Sequence, residues 1–199
     1  MLTPAGSEVP SVQNFVIFLI YPKKMTFLDS YSFTKRLGEG TYGEVDKYNE
    51  KNGSSTIAVK RSKCTQSKHG IEIDTLREVA ALKAIGSHPY IIQLIDVCLE
   101  NCQLLTVFAC MEQDLRLYLK NKSPISFDIA HNIYLQISNG LEYIHHMDFM
   151  HRDLKPANVL CTRDEVKIAD FGLAIRYIPG RRNTLEVQTY ESEENCQQF

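Results

Sequence analysis

The stretch HRDLKPAN, from His151 to Asn158, concentrates polar side chains whose types suit the movement of a proton and a phosphate. Asp153 can accept a hydroxyl proton, and Lys155 can neutralise a migrating phosphate. Asn158 offers an amide oxygen to magnesium. A long apolar segment leads directly into this loop. We therefore expect a catalytic loop here rather than an arbitrary surface loop.

A further acidic residue, Asp170, opens the triplet Asp170-Phe171-Gly172 directly after the apolar run VKIA. A carboxylate at the end of a strand, beside a flexible glycine, suits a magnesium ligand. The triplet by itself is short enough to arise by chance. Its weight therefore depends on the order in which the other motifs occur.

The segment LGEGTYGEV places glycines in the spacing G-x-G-x-x-G at Gly38, Gly40 and Gly43, followed by Val45. This spacing alone is weak, because dinucleotide-binding folds share it. In those folds the loop joins a strand to a helix. Here a strand-like run, YGEVDKY, follows instead. A glycine-rich hairpin can lay its backbone N–H groups over phosphates, since no side chain blocks the approach.

Lys60 follows two apolar residues on a predicted strand, and Glu78 lies on a predicted helix. A lysine in such a strand usually reaches from an edge to water. A lysine beneath a phosphate loop can instead pair with phosphate oxygens and would then need a carboxylate to fix its position. Glu78 is available for that role, although a solvated helix face is its simpler interpretation.

The elements that must position these residues change character along the chain. In the first half, SFTKRLGEG, YGEVDKYNE, STIAVKR, IIQLIDVCLE and QLLTVFA read as strands, and the Asn52-Gly53 turn indicates a hairpin. The segment IEIDTLREVAALKAIG reads as a helix that ends at Gly86. Its spacing places Leu76, Val79, Ala80 and Lys83 on one face of the helix.

The second half is predicted to be mainly helical. DLRLYLK reads as a short helix, and FDIAHNIYLQISNGLEYIHH reads as a long one, with short strands at NVLCT and VKIAD. Apolar residues recur at spacings of four and three along the long helix, which predicts a buried face. The residues of that face are Ile129, Ile133, Ile137, Leu141 and Ile144.

The glycine loop, strand lysine, helix glutamate, HRD-type loop and DFG triplet occur in the order found in protein kinases. Residues 30–189 therefore resemble a eukaryotic protein kinase domain. Lys155-Pro156 resembles the serine/threonine class, and GEGTYGEV, GIEIDTLREV and VFACMEQDL resemble the cyclin-dependent kinases. The resemblance implies an α+β, two-lobed fold with an antiparallel-sheet N-lobe and a helical C-lobe.

The resemblance also implies roles for individual residues. The catalytic set would be Asp153, Lys155, Lys60 and Glu78, with Asn158 and Asp170 as Mg²⁺ ligands. Phe108 would be the gatekeeper, a role compatible with ordinary core packing. The residues that would bind ATP are Leu37, Gly38, Glu39, Gly40, Thr41, Tyr42, Gly43, Val45, Ala58, Lys60, Phe108, Ala109, Met111, Asp114 and Leu160.

Regulation is implied by three further features. Thr41 and Tyr42 match positions of inhibitory phosphorylation, and the helix around Ile71–Ala84 would contact a cyclin. NTLEVQT resembles the front of an activation segment with Thr184 as its phosphorylation site. A phosphate there would pair with Arg77 and Arg152 and order the segment. The alternative is a serine- and threonine-bearing tail without a role.

Beyond Thr189 the resemblance stops, because YESEEN stands where the family continues with Trp-Tyr-Arg and an Ala-Pro-Glu anchor. Ile175-Arg176 also departs from the family, which usually places a basic residue first. We expect an incomplete C-lobe that leaves Ile133, Ile137 and Leu141 partly exposed. The predicted organisation is an unassigned extension (1–28), an N-lobe (29–110), a partial C-lobe (111–189) and a polar tail (190–199).

The composition of the chain limits its expected location and the kinds of partner it could bind. The chain has 199 residues, a net charge of −2 and six cysteines without a C-x-x-C pair, which favours an intracellular protein, nuclear or cytoplasmic, with no nucleic-acid partner. The apolar run at 15–21 is too short to span a bilayer, so no membrane association is expected. The expected function is ATP-dependent phosphorylation of serine or threonine in protein substrates. The alternatives are a weak or inactive kinase that binds a cyclin or a nucleotide, and a fragment of a longer chain.

Overall fold

The computed structural model of the chain describes residues 28–40, 43–62, 72–100 and 103–180. Ten strands and three helices are formed there, together with two 3₁₀ turns at Leu28–Ser30 and Pro156–Asn158. The elements are β1 (Tyr31–Gly40), β2 (Gly43–Glu50), β3 (Thr56–Ser62), α1 (Ile73–Ile85), β4 (Leu94–Glu100), β5 (Gln103–Ala109), β6 (Gln113–Asp114), α2 (Leu115–Lys122), α3 (Phe127–His146), β7 (Phe149–Met150), β8 (Val159–Cys161), β9 (Val166–Ile168) and β10 (Ile175–Arg176).

The first half is an antiparallel sheet with the strand order β1-β2-β3-β5-β4. The turn around Asn52-Gly53 joins β2 to β3 as predicted, with residues 51–55 between the two strands. β3 lies inside the sheet, so Lys60 is not on an edge strand. One sheet face carries an apolar cluster of Ile57, Val59, Cys98, Leu105 and Val107.

Helix α1 packs against this sheet through Val79, which shares a buried cluster with Leu104 of β5. Lys83 is exposed and Ala80 is half-buried. The buried residues are Thr75, Glu78, Val79, Ala81, Leu82 and Ile85. Of the four residues on the predicted face only Val79 is fully buried, because the inward face also includes a threonine and a glutamate. The helix ends at Gly86, as expected.

In the second half, α2 and α3 lie where the sequence predicted them. Asp114 caps α2 by accepting a hydrogen bond from the Leu117 N–H at 2.7 Å, and Ser126 caps α3 in the same way through the Ile129 N–H. None of the described helices is long and apolar enough to cross a membrane.

The apolar face predicted for α3 is buried to different degrees along the helix. Ile144 is fully buried, whereas Ile129 is 41% exposed. Ile133, Ile137 and Leu141 are half-buried, which confirms the expectation that they are partly exposed. The deeply buried positions are spaced four apart and are mostly not apolar: Gln136, Gly140 and Ile144.

Small residues and amide hydrogen bonds bring α3 close to the strands beneath it. A Cβ added at Gly140 would lie 3.0 Å from both Ile168 Cδ1 and the Tyr90 carbonyl oxygen, so a larger residue would push these neighbours away by a few tenths of an ångström. Gln136 accepts a hydrogen bond from the Val166 N–H at 2.7 Å and donates one to the Asp164 carbonyl. These contacts fix the strands β8 and β9, which flank the two acidic loops.

One apolar core joins the two halves. Phe108 from the sheet, Ile85 from α1, Ile144 from α3 and Phe171 from the DFG triplet belong to the same buried cluster. Ile91 also forms a bridge with Ile168 of β9. The two-lobed α+β fold predicted from the sequence is confirmed, with the candidate catalytic residues between the sheet and the helices.

Candidate active site

A cavity of about 510 Å³ lies between the sheet and the second half of the chain. This volume falls within the range of about 300–1,000 Å³ typical of small-molecule sites. Among the residues assigned to the site from sequence, the cavity is lined by Leu37, Gly38, Val45, Ala58, Lys60, Glu78, Phe108, Ala109, Met111, Asp114, Asn158, Leu160 and Asp170. An adjoining recess brings Asp153 beside Lys60, Glu78 and Asp170.

The β1–β2 hairpin, which carries the glycine-rich segment, covers one side of the cavity through Leu37, Gly38 and Val45. Gly43 has φ +137°, and a Cβ at this position would lie 1.9 Å from the Arg61 carbonyl oxygen, so no other residue fits. Gly40 pairs with Gly43 at the end of the β1–β2 ladder. Glu39 lies outside the cavity and contacts Arg36 instead. Thr41 and Tyr42 lie outside the described residues.

Lys60 and Glu78 form an ion pair at the back of the cavity. Lys60 Nζ lies 2.6 Å from Glu78 Oε2, and the two side chains are 18% and 3% exposed. The interpretation of Glu78 as a solvated residue is therefore wrong. Burial raises the pKa of the Glu78 carboxyl, while the Lys60 ammonium and the Phe171 backbone N–H favour its charged form. The pair ties α1 to the central strand β3.

The catalytic-loop side chains converge on one carboxylate. The Asn158 amide nitrogen donates to both the carbonyl and Oδ2 of Asp153, each at 2.9 Å. Lys155 Nζ lies 3.3 Å from the same Oδ2. These contacts hold the orientation of the Asp153 carboxylate. They also commit the Asn158 nitrogen, so its amide oxygen is the atom suited to a cation.

His151 supports this loop from inside the core. Its ring packs edge-on against Phe171 at a centroid distance of 4.8 Å. Nε2 hydrogen-bonds the Ala169 carbonyl at 3.0 Å, and Nδ1 accepts from the Asp153 N–H at 3.3 Å. These partners select the neutral tautomer with the proton on Nε2. The ring therefore links the catalytic loop to the residues that lead into the DFG triplet.

Stability is expected to fall when the solution is acidified below about pH 6.5, the ordinary pKa of histidine. Burial lowers the pKa of His151 in the folded protein, so the unfolded chain binds a proton first as the pH falls. The stabilisation is complete above pH ~6.5 and is lost as the pH falls through the folded-state value. Each such group contributes at most about 1.4 kcal/mol per pH unit.

Denaturant unfolding at pH 7.5 and pH 5.5 measures this loss of stability. His151→Phe, which keeps a ring against Phe171, should have a smaller difference between the two pH values than the wild-type protein. His88 is the comparison residue for effects outside the catalytic loop. Burial lowers its pKa too, but its ring stacks on Tyr143 away from the loop. Equal pH dependence in wild type and His151→Phe would show that His151 does not titrate as argued.

The Mg²⁺ candidates provide oxygen donors of the kind that this ion prefers. Asp170 supplies a carboxylate and Asn158 an amide oxygen, and both line the same cavity. Asp170 has φ +63° and Arg152, beside Asp153, has φ +67°. Left-handed backbone at non-glycine residues costs about 1–3 kcal/mol each and clusters at functional sites. The residues present therefore fit a magnesium ion bound together with phosphate oxygens.

Two arginines lie beside the DFG triplet. Arg77 Nη1 donates to the Gly172 carbonyl at 2.8 Å and to Asp74 Oδ1 at 2.6 Å, and Arg152 Nε donates to the Leu173 carbonyl at 2.8 Å. Burial lowers the pKa of Arg152, and the nearby Arg77 cation acts in the same direction. Both predicted phosphate partners thus lie beside the start of the activation segment. Thr184 itself lies outside the described residues.

The apolar end of the cavity is formed by the link between the two halves. Phe108, at the end of β5, is 7% exposed and also belongs to the central core. Ala109 and Met111 follow it along the cavity wall. Asp114 lines the cavity while capping α2, a structural role that the sequence analysis did not assign.

Sequence reasoning missed several cavity residues. Ala157 and Ala169 each precede a predicted metal ligand, so their chain position was a usable signal. Leu117 and Ile92 carried no comparable signal. The full set of missed lining residues is Lys35, Arg36, Ile92, Glu112, Gln113, Leu117, Ala157 and Ala169.

Comparison with known proteins agrees with this geometry. Residues 31–194 match the model of the protein kinase domain family. The chain is 38% identical over 168 residues to "Cell division control protein 2 homolog 2" of Trypanosoma brucei brucei, covering 83% of this chain and 47% of the relative. It is 39% identical over 169 residues to "Cyclin-dependent kinase D-1" of Arabidopsis thaliana, covering 83% and 42%.

A third relative, "Cyclin-dependent kinase 1" of Encephalitozoon cuniculi, is 34% identical over 170 residues, covering 83% of this chain and 55% of the relative. The chain thus spans about half the length of the curated relatives it matches. It belongs to the protein kinase family. The resemblance to cyclin-dependent kinases predicted from its motifs is confirmed by these relatives.

Proposed function

We propose that this protein transfers the γ-phosphate of ATP to serine or threonine hydroxyls of protein substrates. The observation that carries the proposal is the convergence of Lys60, Glu78, Asp153 and Asp170 on one recess beside the large cavity. Each of these side chains has a chemical role in phosphoryl transfer, and two of the three relatives named above are kinases by name. The apolar end of the cavity suits an adenine ring.

The proposed division of labour follows from the contacts. Asp153 orients the acceptor hydroxyl and takes its proton, while Lys155, 3.3 Å from the same carboxylate, balances charge on the transferred group. Lys60, held by Glu78, binds phosphate oxygens. Asn158 and Asp170 would hold Mg²⁺, which when bound neutralises charge on the phosphates. The order of these residues along the cavity separates the adenine end from the phosphate end.

A cyclin-type partner is proposed on helix α1. Glu78 extends from the inner face of this helix into the site, so a partner that shifts the helix would alter the ion pair with Lys60. On its outer face, Ile73 is 60% exposed and offers apolar contact. Phosphorylation of Thr184 would act on the same helix through Arg77, and phosphorylation of Thr41 or Tyr42 would place charge beside the phosphate site.

A phosphotransfer assay tests the proposal directly. Purified protein would be incubated with γ-labelled ATP, MgCl₂ and a serine/threonine peptide library, with and without a cyclin. We expect label on serine or threonine that disappears with EDTA. A silent assay accompanied by capture of the cyclin or binding of the nucleotide would contradict the proposed enzyme and favour the non-catalytic binding protein.

A further inference from the structure

Two carboxylates are buried among the described residues, and the proposed reaction uses one of them. Glu78 pairs with Lys60 in the active site. Asp46, in β2, is 5% exposed and lies outside the residues that line the cavity. A buried carboxylate is costly unless charged or polar partners compensate it, so its partners indicate what it does.

Asp46 is bound by arginines from both neighbouring strands. Its Oδ1 lies 3.3 Å from Nε of Arg36 in β1, and its Oδ2 lies 3.5 Å from Nε of Arg61 in β3. Arg61 also donates to the Tyr48 hydroxyl at 2.6 Å, and Arg36 reaches Glu44 at 2.6 Å. A single buried side chain thus links three adjacent strands.

Asp46 and Arg61 lie on the sheet face opposite the cavity, whereas Arg36, on the edge strand β1, also lines the cavity. Asp46 pairs with Val59, whose side chain belongs to the apolar cluster on the outer face. Val45 pairs with Lys60, and both line the cavity. Because successive side chains of a strand point to opposite faces, Asp46 and Arg61 share a backbone with the cavity residues but do not line the cavity.

Each member of the cluster is the chain neighbour of a cavity residue. Arg36 precedes Leu37, Asp46 follows Val45 and Arg61 follows Lys60. The β1–β2 ladder has a register shift between Arg36 and Gly38, directly beside the Arg36–Asp46 pair. A shift of this kind redirects side chains and locally weakens the ladder. The ion pairs cross the strands at that weak point.

We propose that Asp46 is a positioning residue for nucleotide binding. By fixing β1 and β3 against β2, it sets the relative positions of Leu37 and Lys60 on the opposite face. Loss of its charge would leave Arg36 and Arg61 without their shared buried acceptor. The strands β1 and β3 would then no longer be held in a fixed position relative to β2. The inference rests on the proposed function, since it assumes that the cavity binds a nucleotide.

Calorimetric titration with MgADP tests this role. Asp46→Asn preserves the shape of the side chain and removes its charge, and its Kd is expected to rise about tenfold. The matched control is Glu44→Gln, because Glu44 pairs with the same Arg36 but its side chain is 38% exposed. An exposed pair contributes little, so the Kd of the control should change less than about twofold.

Titration separates positioning from folding. A misfolded fraction lowers the number of sites and leaves the Kd of the folded fraction unchanged. Displacement of β1 in the folded protein instead raises the Kd at unchanged stoichiometry. If Asp46→Asn is too unstable to titrate, Arg61→Gln, which removes the other arginine on Asp46 and lies outside the cavity lining, should raise Kd about threefold, while Arg61→Lys, which keeps the charge, restores most of the affinity.

An Asp46→Asn protein with the wild-type Kd, or one that loses sites alone, would overturn the positioning role. So would an equal effect of Glu44→Gln. A wild-type protein that binds no MgADP would refute the proposed nucleotide site itself, and the inference would fall with it. These outcomes are distinct because the first three require measurable binding by the wild-type protein.

Discussion

Asp170→Ala is expected to reduce phosphotransfer by about a thousandfold, to the background of the assay. The change removes the carboxylate that lines the phosphate end of the cavity and is proposed to hold Mg²⁺. A bound metal contributes several kcal/mol of charge stabilisation in such reactions, and about 4 kcal/mol corresponds to a thousandfold in rate. The measurement is the initial rate of label transfer across a range of Mg²⁺ concentrations.

Asp170→Asn provides a graded comparison. Asparagine tolerates the left-handed backbone at this position, φ +63°, better than alanine does, and it retains an oxygen donor without the charge. This variant should recover part of the lost rate when Mg²⁺ is raised, whereas Asp170→Ala should not. The difference between the two variants separates metal affinity from backbone strain.

Asp148→Ala is the matched control for strain. Asp148 has a similar φ of +60°, but it lies in the turn after α3 and is exposed. Its replacement should lower stability by about 1 kcal/mol without changing the rate per folded molecule. A wild-type rate in Asp170→Ala would refute the assignment of the metal ligand, and an equal rate loss in Asp148→Ala would attribute the effect to backbone strain.

The sequence predicted the strands and helices well where side-chain periodicity and turn chemistry agree. Glycine and asparagine mark the β2–β3 turn, and apolar runs mark β5 and β9. Motif order then located most of the site, because the loops between these elements carry the polar residues. The structure adds that Lys60 lies on an interior strand, where a lysine needs a partner to be buried.

Burial was predicted less well, for a physical reason that α1 and α3 share. Hydrophobic periodicity finds the inward face of a helix when that face is apolar. In α1 the inward face includes Glu78, which is stabilised by a lysine distant in sequence. In α3 the inward face includes Gln136, which forms hydrogen bonds, and Gly140, which allows the helix to approach its neighbours closely. Such pairings depend on the tertiary fold and leave no periodic signal.

The cavity-lining positions of Lys35, Arg36 and Gln113 illustrate a second limit. Charged and amide residues on exposed strands resemble ordinary surface residues in sequence. Their place at the cavity follows from strand register, including the shift between Arg36 and Gly38, which no local pattern encodes. The same register places Asp46, the centre of the arginine–carboxylate cluster, on the opposite sheet face.

Lys60→Met is expected to lower stability by about 3 kcal/mol and phosphotransfer by at least about a hundredfold. The stability loss arises because Glu78, 3% exposed, loses the ammonium group 2.6 Å away and keeps an uncompensated charge in the core. In a chain of this length the midpoint of thermal unfolding should fall by about 6–12 °C. The rate loss arises because the lysine proposed to bind phosphate oxygens is gone.

The double variant Lys60→Met/Glu78→Leu separates these two effects. Replacing both members of a buried ion pair with apolar residues is often neutral for stability. The double variant should therefore regain most of the lost unfolding free energy while its phosphotransfer rate stays at the level of Lys60→Met. Glu78→Gln, which keeps the lysine but weakens its anchor, should have an intermediate rate.

Comparison of the single and double variants should therefore show a recovered thermal midpoint in the double variant but no recovered phosphotransfer rate. Recovery of both in the double variant would mean that Lys60 serves folding alone, because methionine cannot bind phosphate. Recovery of neither would mean that the cavity fails to accommodate leucine at the position of Glu78. In that case Glu78→Gln decides the question, since a fully active Glu78→Gln protein would refute the role of the carboxylate in positioning Lys60.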